Sequence, residues 1–161
     1  MIVVSDASPL IALGAVQALD LLRAMYGRVL ISEAVHREVS ADSSRAGAAD
    51  VLAADWIEVR RVTNLALVAS LAAKLGRGES EAIALALEAA ADLLILDDRL
   101  ARRAAEKLGL EISGVGGVMV EAKRLGHIAA VKPMLDEMTS VVGFRVSPAV
   151  RSLILRAAGE G

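Results

Sequence analysis

Residues 93–100 read LLILDDRL, four large apolar residues running straight into two adjacent aspartates, Asp97 and Asp98. A short continuous apolar run bounded by polar residues suits a strand covered on both faces, as strands of parallel sheets are. Four more runs of this kind lie along the chain: IVVS (2–5), VLIS (29–32), WIEVRRV (56–62) and EIS (111–113). Helical patterns fill the intervals, over 8–25 with a break near Gly14, then 33–40, 45–54, 64–75, 79–91, 98–108, 116–125, 129–140 and 148–158. Strands alternating with helices predict an α/β fold, a doubly wound central parallel sheet of about five strands with helices on both faces. Glycines 76, 78, 109 and 126 fall where helix ends or turns are expected. The last stretch, GFRVSPAVRSLIL, adds a short strand or turn and a helix capped by Ser147, with Pro148 at its first position.

With 161 residues and no repeat or linker, residues 1–161 are expected to form a single domain with a substantial core. The longest apolar candidate, AIALALEAAADLLIL, is interrupted by Glu88 and Asp92 and falls short of the roughly 18 residues a membrane span needs. The N-terminus MIVVSDASPL lacks a basic leader region, so a cytoplasmic protein with no membrane partner is expected. The absence of cysteine excludes disulfides, thiolate nucleophiles and thiolate metal sites. A net charge of −2 and 2% aromatic residues argue against non-specific coating of single strands. Arg99, Arg102, Arg103 and Lys107 share one predicted helix, and Arg60 and Arg61 end a strand; a solvated helix face is the simplest account of the first group.

The carboxylates are more telling. Asp6 follows the first strand as Asp97 and Asp98 follow the fourth, so all three converge at one sheet edge if those strands are neighbours. Each could cap a helix, but a cap needs only one acid, and the Asp97–Asp98 pair leaves one over. Glu79 and Glu81 open the helix RGESEAIALAL; at about 100° per residue Glu79 shares the face of Ala82, Ile83 and Ala86, whereas Glu81 lies roughly opposite. An unpaired charge on an apolar face is costly, so Glu79 needs a partner, and an ion shared with Asp6 would serve. Glu33 is simply placed at a helix N-terminus, Glu38 is aimed inward or along the domain edge, and His36 and His127 read as surface residues without zinc-site spacing. An all-oxygen acid cluster suits Mg²⁺ or Mn²⁺ and phosphoryl chemistry.

The series VVSDASPLI, VLISEAVHREV, GRGESEAIALALE and LLILDDRLARRAAEKLGLEISGVGGVMVEAKRLGHI resembles the PIN-domain superfamily over roughly residues 2–156, and more narrowly its uncharacterised prokaryotic branch related to VapC-type toxins. The resemblance implies a homodimeric, metal-dependent ribonuclease using Mg²⁺ or Mn²⁺, with RNA as substrate and an antitoxin protein as a possible partner. It places Asp6 as the first acid with Ser8 as the hydroxyl residue after it, Glu38 as the second, Glu79 (or Glu81) as the third, and Asp98 (with Asp97 beside it) as the fourth. The third acid is glutamate where most such toxins have aspartate, and Leu96 stands where a threonine is usual. The alternative expectation is a weakened PIN-like module that binds RNA or a partner protein without cleavage.

Overall fold

The computed structural model describes residues 1–161. Five strands, β1 (Val3–Ser5), β2 (Val29–Ser32), β3 (Ile57–Arg60), β4 (Leu93–Ile95) and β5 (Ile112–Ser113), form one sheet in the order β3-β2-β1-β4-β5. Every pairing is parallel, with Ser5 in register with Ile95 and Ile95 with Ser113. Ten helices connect and cover the strands: α1 (Ala7–Ala15), α2 (Asp20–Tyr26), α3 (Glu33–Ala41), α4 (Ala48–Ala53), α5 (Leu65–Ala72), α6 (Arg77–Glu88), α7 (Arg99–Lys107), α8 (Val115–Arg124), α9 (Lys132–Val142) and α10 (Pro148–Ala157). The expected doubly wound α/β sheet of five parallel strands is the observed one.

The sheet is dry because its strands are apolar without alternation. Val3, Val4, Leu94 and Ile95 have no exposed surface, and Leu30 and Ile31 almost none. The chain steps outward from β1 to β2 and β3, then returns to the other side of β1 to lay down β4 and β5. The winding therefore reverses between β1 and β4, and a crevice opens there beyond the carboxyl ends of the strands. Helix α6 packs against β1, β2 and β4 and against α3 and α5, so every residue from Ser80 to Ala86 is buried.

Three local expectations are corrected. The first helical stretch breaks at Val16–Leu19 rather than at Gly14, which lies inside α1. Gly14 is needed for a different reason: a Cβ there would meet the backbone oxygen of Gly47 at 2.7 Å, and α1 and α4 cross at this glycine pair. The GFRV stretch forms no strand; it is an irregular approach to α10, where Ser147 accepts from the Val150 amide at 3.2 Å with Pro148 in the first turn. Gly78 ends no helix and is the second residue of α6.

The end of the chain is tied down by Glu160. Its carboxylate accepts from the Val131 and Lys132 amides at 2.8 and 3.0 Å and from Lys123 Nζ at 3.0 Å, while Lys123 Nζ also donates to the Ala158 carbonyl. These backbone hydrogen bonds, opposed by desolvation and aided by Lys123, hold the carboxyl down at about 2. No single helix is long and apolar enough to cross a membrane.

Candidate active site at the β1–β4 edge

Asp6 is the first residue past β1, and its amide donates to the Ile95 carbonyl at 3.0 Å, which ties it to the end of β4. Its backbone is extended, as at a helix N-cap, yet its side chain makes no cap hydrogen bond to α1. The side chain is instead buried, 5% exposed, and Oδ1 has no hydrogen-bond partner. Burial pushes this carboxyl up to about 7; the Ala7 amide opposes the shift, and the charges of Glu38, Glu79 and Asp97 add to it. Acids from three other segments are thus within electrostatic reach of Asp6 at the sheet edge. An orphaned buried oxygen among like charges is unfavourable, and a cation would relieve both penalties.

The other three are each held by a separate backbone amide. Glu38 is exposed on α3 but its carboxylate lies against the Gly78 amide; desolvation of the carboxyl, only partly countered by that amide and by Arg45, keeps it above the usual range. The approach is so close that a Cβ on Gly78 would collide with the carboxylate, which is why α6 begins R-G-E. Glu79 is raised by burial and by the neighbouring charge of Asp98, against a hydrogen bond from Gly76. Asp97 accepts from the Val115 amide through both oxygens, at 3.1 and 3.3 Å. Burial raises it, and the Val115 amide and nearby Arg102 only partly compensate. Gly114 leaves room for this contact, since a Cβ there would strike both Asp97 and Arg102.

Asp97 and Asp98 divide two tasks. Asp98 is the N-cap of α7, accepting from the Ala101 amide at 2.9 Å, and it is exposed. Asp97 is the carboxylate whose charge reaches Asp6.

Glu79 and Glu81 also separate, though not as the helical wheel expects. Glu81 is the more buried of the two, 5% exposed, because α6 is covered all round rather than on one face. It accepts from the Ala34 amide at 3.1 Å and pairs with Arg77 at 2.8 Å, with Arg37 at 4.0 Å. Burial alone would raise Glu81, but these partners outweigh it and hold the carboxyl below its ordinary range. It fastens the start of α3 to α6 and so positions Glu38. Ser8 is exposed on the first turn of α1, two residues past Asp6, and His36 and His127 are exposed.

The donor set is all oxygen, which fits a hard cation such as Mg²⁺ or Mn²⁺. In the conformation described, no three of these side chains converge closely enough to share one ion. Sequence reasoning passed over Gly78, Gly114 and Arg102. The first two carry no signal beyond being glycines beside site acids, and the third was absorbed into a charged helix face.

No curated protein matches the sequence. A family model described as a PIN domain matches residues 2–160. With that match spanning nearly all of a five-stranded parallel sheet whose winding reverses at an acidic edge, the chain belongs to the PIN-domain family.

Proposed function

We propose that the protein is a Mg²⁺- or Mn²⁺-dependent ribonuclease that hydrolyses phosphodiester bonds at the β1–β4 edge. The observation that carries this reading is the buried, unpartnered Oδ1 of Asp6 facing the charges of Glu38, Glu79 and Asp97. In this reading Asp6, Glu38, Glu79 and Asp97 hold the ion, Asp98 caps α7 and adds negative charge beside Glu79, and Glu81 keeps α3 in place. A cation bound there would supply an activated water and neutralise charge developing on the phosphate. Asp6, pushed up to about 7, is where a proton competes with the cation near neutral pH. Ser8, exposed two residues past Asp6, is assigned a supporting role by the family resemblance alone.

The test is cleavage of a single-stranded RNA in Mn²⁺ by the native chain and by Asp6→Asn. Loss of cleavage in the folded variant is expected; undiminished cleavage would sink the assignment. A toxin role, with an antitoxin partner and a homodimeric state, rests on the family resemblance alone. It predicts that induced expression arrests growth and that Asp6→Asn does not.

A second reading is a module that binds RNA or a protein partner without cleaving. It is favoured by the separate amides on which the acids rest and by their failure to converge. Calorimetric titration with Mn²⁺ decides between the two, since the folded chain takes up no ion in the second.

A further inference from the structure

Beside the acids lies a groove of about 950 Å³, between α7, the start of α8 and the approach to α10. Asp97 is one of its lining residues, so the groove adjoins the acidic edge. Arg99, Arg102, Arg103 and Arg145 line it, against Asp97 and Glu106, which gives a net positive wall on a chain whose total charge is −2. Arg102 is engaged with the Leu96 carbonyl at 3.1 Å and lies beside Asp97, whereas Arg99, Arg103 and Arg145 form no ion pair. Gly116 and Gly117 also line the groove. Their amides precede the first backbone bond of α8, from Val118 to Gly114, so they remain free to donate. The approach to α10 and α10 itself contribute, beside Arg145, the apolar Phe144, the one phenylalanine in the chain, with Val150, Leu153 and Ile154. Leu153 is 62% exposed and Val150 43%, so this surface is open to a ligand.

A groove that sets arginines beside an aromatic and aliphatic surface matches a single strand, which offers both phosphates and unpaired bases. We propose that this groove holds the strand on one side of the scissile phosphate, with Arg99, Arg103 and Arg145 meeting phosphates and Phe144 stacking on a base. The inference deepens the ribonuclease reading and rests on it for the choice of occupant. Charge sign and the adjoining acidic edge favour nucleic acid over a peptide.

The experiment uses a fluorescein-labelled 12-nucleotide RNA and the full chain carrying Asp6→Asn, in EDTA, so that binding is read without cleavage. Replacing Arg99, Arg103 and Arg145 by alanine is expected to weaken binding on the order of tenfold or more and to lower the slope of log K against log salt by about 2, at about 0.7 for each phosphate no longer neutralised. Phe144→Ala is expected to cost about tenfold for the single strand and nothing for a hairpin duplex. A control pair outside the groove, Arg23→Ala with Lys74→Ala, leaves affinity within about twofold. Circular dichroism melts confirm that each variant is folded. Arginine variants that bind like the parent overturn the proposal. So does a parent chain that binds no oligonucleotide. Arginine-dependent binding by a native chain that cleaves nothing in Mn²⁺ upholds the groove and counts against the ribonuclease reading alone.

Discussion

Asp6 is ionised at a thermodynamic cost, and the cost has a sign. Its carboxyl titrates at about 7 in the folded chain against 3.8 in an ordinary environment, so the native state binds its proton more tightly than the unfolded state. Lowering the pH through that window therefore stabilises the ion-free protein, and raising it towards 8 removes the gain. Glu38, Glu79 and Asp97, also shifted upward, act in the same direction. Thermal melts in EDTA should show the melting temperature rising from pH 8 to pH 5, and Asp6→Asn should flatten the trend; an unchanged slope would remove Asp6 as its source. The two aspartates after β4 should part in the same way. Asp98→Ala should cost about 1 kcal/mol through loss of the cap, while Asp97→Asn should weaken Mn²⁺ binding at least on the order of tenfold with little loss of stability. Sequence made it clear that one of the pair was spare. What each one contacts was not legible: Asp98 takes the Ala101 amide and Asp97 the Val115 amide, and the second is a contact between residues 18 apart.

Helix α6 shows why a wheel is a partial guide. The placement of Glu79 and Glu81 on opposite faces is sound geometry, but it assumes a wet side, and α6 has none from Ser80 to Ala86. The residue that looked outward is buried against α3 and is satisfied there by an arginine and an amide. Gly78 has a similar history. Its place near a helix start suggested a turn, whereas its missing Cβ leaves the space that the Glu38 carboxylate, arriving from another helix, occupies. Gly78→Ala should leave the melting temperature near the native value, since the gain in helix propensity of up to about 1 kcal/mol offsets part of the crowding. The same change should reduce Mn²⁺-dependent cleavage on the order of a hundredfold by displacing the Glu38 carboxylate. Full activity in this variant would mean that Glu38 is not needed where it lies.

The whole molecule was the most legible scale. Five uninterrupted apolar runs between helical patterns are enough to specify a parallel sheet, and three acids at two strand ends already pointed to the edge proposed above as the site. The arrangement of the C-terminal third was not legible, because the Glu160 latch and the groove wall depend on residues 123, 131 and 160 meeting in space, which no local pattern encodes. Glu160 has its carboxyl held down at about 2, so the stability it contributes is complete above its ordinary range and is lost only as pH falls towards 2. Glu160→Gln should lower the melting temperature at neutral pH and remove this acid-dependent part, read by melts between pH 5 and pH 2. The latch also sets an order in time. Synthesis delivers Asp6, Glu38, Glu79 and Asp97 well before Phe144, Arg145 and the closing Glu160. A chain still emerging from the ribosome can thus possess every acid of its site while lacking one wall of the channel beside it, and in the reading proposed above it would be born unable to grip the RNA around it.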